Sequence, residues 1–244
     1  MKTAVKFILQ TLLGFQNYLY LFSRYKIRNL RSDRKEGDFF HFLDMLPEQG
    51  TVLDIGANIG IMTVHLAGKP ERKVIAFEPM PSNLNALRRV VRHYRLSNVL
   101  IMDCALGNEE GRAEMVMPMV GPVRMQGLSH VMHASIPENN QGEKVSVALH
   151  RLDALKEIGE SARITGVKMD VENFEYFVLE GGREMLQKHQ PILYIELWEN
   201  ENRALCFTFL KELGYVIYVV DKGSLVKYEK QEKQNFIFVP NAQS

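Results

Sequence analysis

Cysteine is almost missing from this sequence, with Cys104 and Cys206 the only two among 244 residues. They fall in different expected elements, so no disulfide framework holds the chain, and a reducing, cytoplasmic compartment is the expectation. Net charge is nearly missing as well. Thirty Lys+Arg stand against 29 Asp+Glu, which leaves no global field to draw the protein to nucleic acid or to an anionic membrane, so only local patches could do so. No internal repeat or low-complexity segment occurs, and a chain 46% hydrophobic and 24% charged is neither disordered nor collagen-like. One core serves a chain of this length. The expected organisation is an extension over residues 1–37 and a single domain over residues 38–244.

Long apolar runs are also absent. Residues 1–22 come nearest, with Lys2 and Lys6 ahead of Phe7-Ile-Leu-Gln-Thr-Leu-Leu, yet no small-residue cleavage site follows. Gln10, Thr11, Gln16 and Asn17 interrupt the run, so neither a signal peptide nor a spanning helix is expected. Val5, Ile8, Leu12, Phe15, Leu19 and Phe22 instead recur at spacings of three and four, the mark of one amphipathic helix. Two coverings for its apolar face stay open. One is packing on the domain or on a second subunit; the other is peripheral membrane contact, which Arg24, Lys26, Arg28 and Arg31 suit. Asp33 to Gly37 reads as a polar linker.

From Thr51 onward, short apolar runs alternate with helical patterns, which predicts a mostly parallel sheet covered on both faces. Strands are expected at Val52–Ile55, Val74–Phe77, Val99–Met102, Ile164–Met169 and Ile192–Ile195. Leu84 to Tyr94 reads as a helix with Leu84, Leu87, Val91 and Tyr94 inward and Arg88, Arg89, Arg92 and Arg95 on a solvated face. Tyr215–Val220 and Phe236–Val239, joined across Asp-Lys-Gly-Ser, read as a closing hairpin. Met117 to Gly142 breaks the alternation with prolines, glycines, methionines, His130 and His133. Such a segment is either a lid over a ligand or a plain surface excursion.

The chemistry begins at Val52-Leu-Asp54-Ile-Gly56-Ala57-Asn58-Ile-Gly60, a strand entering a tight turn and then a helix. Gly56 and Gly60 allow close backbone approach, and asparagine tolerates a left-handed turn conformation. A glycine turn alone also serves dinucleotides and phosphates. Asp54 discriminates, because a carboxylate repels a pyrophosphate but accepts hydrogen bonds from the ammonium end of S-adenosylmethionine. Glu78 ends the next strand 18 residues after Gly60, close to the spacing at which an acid reaches two ribose hydroxyls. Asp103 and Cys104 end the third strand, where an adenine would lie. Asp170 and Glu172 follow the fourth, at the crevice formed by the carboxyl ends of parallel strands. Asp170 is left to orient the cofactor or bind the acceptor, Glu172 to act as general base, and a shared Mg²⁺ ranks last. Glu196 either borders that crevice or caps the helix after it.

Asp54-x-Gly56-x-Asn58-x-Gly60, Phe77-Glu78-Pro79, Ala105-Leu106-Gly107, Leu152-Asp153, Lys168-Met-Asp170-Val-Glu172, Val178-Leu-Glu-Gly181 and Pro191-x-Leu-x-x-Glu196 occur in that order. Together they resemble the FkbM family of S-adenosylmethionine-dependent methyltransferases over roughly Gly50 to Pro240. The resemblance implies an α/β, class I methyltransferase fold: a Rossmann-like, mostly parallel seven-stranded sheet with helices on both faces and a C-terminal antiparallel hairpin. It also implies O-methylation of a hydroxyl on a sugar or natural product; no metal is expected, because the residues show no fixed ligand cage. Asp170 and Glu172 are then the candidate catalytic residues. Asp54, Gly56, Ala57, Asn58, Gly60, Glu78, Asp103 and Cys104 are the candidate cofactor contacts. Asn173 departs from the family, which usually has glycine there. Two alternatives stay open: a nicotinamide-dependent oxidoreductase on a related sheet, which Asp54 disfavours, and a non-catalytic binding module.

Overall fold

The computed structural model describes residues 3–33, 36–133, 136 and 140–241. Two helices come first, α1 (Thr3–Leu13) and α2 (Phe15–Asn29), then α3 (Gly37–Met45). The alternating part follows as β1 (Gly50–Ile55), α4 (Ile61–Leu66), β2 (Arg72–Phe77), α5 (Pro81–His93) and β3 (Val99–Met102). Next come β4 (Ala105–Leu106), β5 (Gly111–Val120), β6 (Val123–Arg124), β7 (His130–Val131) and β8 (Gly142–His150). The chain closes with α6 (Lys156–Gly159), β9 (Ile164–Met169), α7 (Glu175–Gly181), α8 (Arg183–His189), β10 (Ile192–Glu196), α9 (Glu201–Glu212), β11 (Tyr215–Asp221), β12 (Ser224–Lys227) and β13 (Asn235–Pro240).

The main sheet runs β12-β11-β13-β10-β9-β1-β2-β3. Its five parallel strands are the five expected, because runs such as Val52-Leu-Asp-Ile bury both faces. Leu53, Ile55, Ile75 and Phe77 pack into the larger core on one side. Val52 and Val74 pack on the other, against Phe39, Phe42 and Leu66. The seven strands of the class are present, and the antiparallel end differs in one detail. Tyr215–Asp221 turns into the short edge strand Ser224–Lys227, while Asn235–Pro240 returns between β11 and β10. The tight Asp-Lys-Gly-Ser connection thus belongs to an eighth strand, and Lys222 and Gly223 supply the positive φ it needs.

Met117 to Gly142 is mostly structured within its described residues. Gly111–Val120 and Gly142–His150 pair antiparallel as the spine of a second, five-stranded sheet. The segment is therefore a wall as well as an excursion. Residues 134–135 and 137–139 lie outside the described residues.

The N-terminal stripe is split. Gly14, at φ 71, separates α1 from α2, and only the second half is covered. Tyr18 and Leu19 are buried with Ile59 and Ala86, whereas Val5, Ile8 and Leu12 are exposed. α5 begins earlier than expected, at Pro81, and buries Val90 in place of Val91. No helix among the described residues is long and apolar enough to cross a membrane.

Candidate active site

β1 and β2 end in Asp54-Ile55 and Phe77-Glu78, and the turn after β1 folds back over the strand ends. Gly56 and Ala57 donate their N–H groups to Phe77 O, at 3.1 and 2.9 Å. Gly56 has φ 72, Asn58 φ 52 and Gly60 φ 81, so the left-handed conformations fall on residues that accept them. What crowds these glycines is protein. A Cβ on Gly56 would stand 1.9 Å from Asp170 O, and one on Gly60 would stand 2.8 Å from Leu87 Cδ1. Gly56 therefore lets the turn close onto the end of β9, which brings Asp170 beside it.

A cleft enclosing about 570 Å³ opens at these strand ends, lined by Gly56, Asn58, Glu78, Cys104, Asp170, Val171, Glu172 and Phe174. The second sheet supplies the facing wall through Met115, Gln126, Gly127, Ser129 and Val131. A second cavity, about 720 Å³, shares Gly56, Asn58, Gln126, Gly127 and Asp170 with the first. It continues to Ala57, Lys168, Glu196 and Glu36, to Phe22 and Lys26 of α2, and to Leu30 just after that helix.

Glu78 is buried at the cleft floor. Its Oε2 accepts from Asn58 N and its Oε1 from Met80 N, both at 2.8 Å. Burial pushes its carboxyl up to about 7, against the opposing pull of those two N–H groups. Cys104 borders the same space, and burial holds its thiol up to about 12, so it serves there as an inert apolar wall.

Two nominated acids are not at the wall. Asp54 is fully buried, with Thr63 Oγ1 donating to Oδ2 at 2.6 Å and Lys168 Nζ 3.4 Å from Oδ1. It organises the strand ends from beneath, because a carboxylate at 0% exposure must take its partners from the protein. Asp103 is exposed and pairs with Arg88 at 3.3 Å. Gly60 is likewise set back, holding the turn against α5.

The acids that do reach the wall are Glu78, Asp170, Glu172, Glu196 and Glu36. Burial raises Asp170, partly offset by Lys168. Burial raises Glu172 too, reinforced by Asp170 and Glu196. Burial again leads for Glu196, with Asp170 adding to it. Lys168 stays charged: burial would lower it, but Asp54 and Asp170 outweigh that and hold it above the ordinary lysine value. Glu196 does not cap the helix after it. That role is taken by Asn200, whose Oδ1 accepts from Arg203 N at 3.2 Å.

Glu172 sits on a strained loop. It has φ 55 and Asn173 φ 74, so the position where the family usually carries glycine is left-handed and asparagine meets its demand. Glu175, buried, clamps the loop by accepting from Val171 N at 3.1 Å and Asn173 N at 3.3 Å. Asn202 donates to its other oxygen at 2.7 Å. Burial raises the Glu175 carboxyl to about 7. Sequence alone assigns no site role to Glu175, Asn83, Gln126, Lys168 or Lys26. Lys168 had a signal, being in strand register with Asp54. Both ring nitrogens of His130 are engaged, Nδ1 with Leu128 O and Nε2 with Asn140 Oδ1, while His133 meets Phe174 edge to face and Phe177 at a tilt. Among the described residues, no group of three or more His, Cys, Asp or Glu is placed to hold a metal ion.

A mostly parallel sheet with antiparallel closing strands, and a glycine turn over a cleft floored by an acid from β2, defines the class I methyltransferases. The chain belongs to the FkbM methyltransferase family, whose domain matches residues 54–217. It is 26% identical to Methyltransferase 1 of Beauveria bassiana (strain ARSEF 2860) over 190 residues, covering 71% of this chain and 75% of that one. It is 25% identical to Methyltransferase sdnD of Sordaria araneosa, covering 77% and 84%. A crystal structure of methyltransferase FkbM from Methylobacillus flagellatus KT shares the fold with a TM-score of 0.57 and 19% identity over 95% of this chain. The present chain spans only 57% of that neighbour. The protein is thus a methyltransferase, and S-adenosylmethionine is its cofactor.

The residues present fit that group. Asn58 Oδ1, Asn83 Oδ1 and Gln126 Oε1 are buried with no hydrogen-bond partner among the described residues, and all three residues line the cleft. Buried polar atoms normally find a partner in protein, water or ligand, and three gathered on one cleft offer a bound molecule its hydrogen bonds. The acids around Asp170 also outnumber the cations beside them, a deficit that a sulfonium and an ammonium relieve.

Proposed function

We propose that the enzyme methylates a hydroxyl oxygen of a small polyhydroxylated acceptor, a sugar or a natural product, in the cytoplasm. The observation that carries this reading is the placement of Asp170 and Glu172 on the cleft wall beside the glycine turn. When bound, the cofactor supplies an electrophilic methyl group on a sulfonium. Glu78, Asn58 and Gln126 would hold its nucleoside end, and the Gly56–Asn58 turn its amino-acid end. The second cavity, with Glu36, Glu196, Lys26 and Lys168 beside apolar Phe22 and Leu30, offers the mixed polar lining that a polyhydroxylated molecule needs.

Glu172 would accept a hydrogen bond from the acceptor hydroxyl and take its proton as the oxygen bonds the methyl carbon and the methyl–sulfur bond breaks, with S-adenosylhomocysteine as the leaving group. Burial and the neighbouring acids hold its carboxyl up to about 9, protonated at neutral pH, so it serves as base only where the positive charge of a bound cofactor offsets that burial and restores the ionised form. The buried Glu175 clamp fixes the loop, so the acceptor is aligned by a pre-set support. Cys104 and Cys206 are free and buried, which supports a reducing compartment.

Labelled methyl transfer across a panel of sugars and polyols tests the reading. Alkali-stable ethers are expected. Label found on nitrogen or carbon would overturn the oxygen assignment.

A further inference from the structure

Acidic side chains are absent from two stretches of this nearly neutral chain. Residues 1–32 carry six basic residues and no acid, and residues 79–102 carry four and none. The remaining 188 residues hold 20 basic against 29 acidic. The two stretches form one surface. Arg89 of α5 donates to Gln16 O at 3.3 Å and to Asn17 Oδ1 at 3.1 Å. Its guanidinium lies 4.2 Å over the Tyr20 ring, and Tyr20 meets His93 edge to face.

On this surface α1 is inverted for a core helix. Gln10 faces the protein, exchanging hydrogen bonds with the Arg124 backbone at 3.1 and 3.3 Å. Leu9 is partly covered by the Tyr18 and Leu19 cluster, but much of the apolar side faces out: Ile8 is 53% and Leu12 77% exposed. Leu21 and Tyr25 are exposed on α2, beside Arg24 and Arg28. Apolar side chains left bare on a helix are a cost unless something covers them.

We propose that α1, with the basic surface of α2 and α5, docks on an anionic lipid surface. α1 has one basic residue, Lys6, and offers the aliphatic side chains. Arg24 and Arg28 of α2, with Arg92 of α5 and Arg95 just beyond it, offer the cations, while Lys26 and Arg88 are paired to Asp33 and Asp103 at the margins. The combination matches acyl chains below anionic headgroups. A second copy of this chain is a poorer occupant, since a two-fold contact would set this basic surface against itself. Nucleic acid would meet the arginines but leave Ile8 and Leu12 uncovered. Docking would leave the cleft chemistry intact and bring the second cavity, which α2 partly lines, near the membrane.

Cosedimentation of the full chain with phosphatidylcholine vesicles, with and without about one-third phosphatidylserine, tests this. Binding to the anionic vesicles should be at least about tenfold tighter and should fall with added salt. Ile8→Glu combined with Leu12→Glu should abolish it, and Arg24→Glu combined with Arg28→Glu should weaken it by about tenfold. Affinity for S-adenosylhomocysteine and the melting temperature serve as folding controls and should not change. Equal binding to both vesicle types, or to neither, overturns the proposal. So does a concentration-dependent dimer that the Ile8/Leu12 variant dissociates, or a salt-dependent RNA shift, either seen without vesicle binding.

Discussion

Lys168 and Asp54 are register partners on adjacent parallel strands, and the lysine Nζ lies 3.4 Å from Asp54 Oδ1 while donating to Gly56 O at 2.7 Å. One ammonium thus ties the first strand, the glycine turn and the acidic wall together. Both side chains are almost fully buried, so removing either charge strands the other. Lys168→Met should cost about 3–5 kcal/mol in denaturant unfolding. Asp54→Asn should lower stability and cofactor affinity together. A full-stability Asp54→Asn protein that has lost cofactor would instead place Asp54 in direct contact.

Glu78 should impose a pH dependence on cofactor binding. Its carboxyl titrates at about 7 in the folded protein, and the ionised form is the better acceptor for hydroxyl donors. Affinity for S-adenosylhomocysteine should therefore fall as pH drops through about 7, and calorimetry on Glu78→Gln should give a weaker, flatter profile.

The same raised pKa sets a stability trend of opposite sense. Between the ordinary value of 4.5 and about 7 the folded state binds more protons at Glu78 than the unfolded state does. Glu175 behaves alike. Stability contributed by these groups is fully present below pH 4.5 and is lost as pH rises to about 7. Ligand-free melting temperature should decline across that window, and Glu175→Gln should shrink the decline. A melting temperature that climbs steadily over the window would contradict it.

The loop carrying Glu172 should be sensitive to shape at Asn173. At φ 74, Asn173→Val should cost roughly 1–2 kcal/mol, whereas Asn173→Gly should stay within about 1 kcal/mol of the parent. The glycine variant loses the bond that Asn200 donates to Asn173 Oδ1 at 2.7 Å, which offsets its freer backbone. Glu172→Gln should lower kcat about 10²-fold with cofactor affinity nearly kept.

Strands were legible where both faces are buried, because continuous runs such as Val74-Ile-Ala-Phe have no other stable home. The β5–β8 pair escaped notice because Gly111–Val120 buries only four consecutive residues and contains Pro118. Its partner is distant in sequence, and no local periodicity reports such a pairing. Glu78, Asp170 and Glu172 could be read as cleft residues because each ends a parallel strand or follows one. Asp54 ends a strand too, but its depth is fixed by Lys168 across the sheet, which a motif cannot express. Periodicity likewise showed that Ile8, Leu12 and Leu19 share a stripe. It could not show that Gly14 would break the helix and bury only Leu19.

That break separates two roles in the extension, and truncation should resolve them. The sequence alone places residues 1–37 outside the cofactor-binding part, yet α2 reaches the glycine turn itself. Ser23 Oγ, fully buried, donates to Ile59 O at 2.8 Å, and Leu19 and Tyr18 cover Ile59 and Ala86. Ile59 lies between Asn58 and Gly60, so uncovering it loosens the turn against which the cofactor must rest. Among the described residues α1 makes no hydrogen bond to the turn; it sets Leu9 at the edge of the Tyr18, Leu19, Ile59 and Ala86 cluster and meets β6 through Gln10. Removal of residues 1–13 should therefore leave cofactor affinity unchanged. Removal of residues 1–32 forfeits about 0.5–1.5 kcal/mol for the lost Ser23 hydrogen bond. Burial of Leu19 is lost as well, at about 1.5–3 kcal/mol. The shorter protein should melt earlier and bind S-adenosylhomocysteine at least about tenfold more weakly. Full affinity in the chain that starts at Asp33 would show that α2 is only a cover, with no part in shaping the turn.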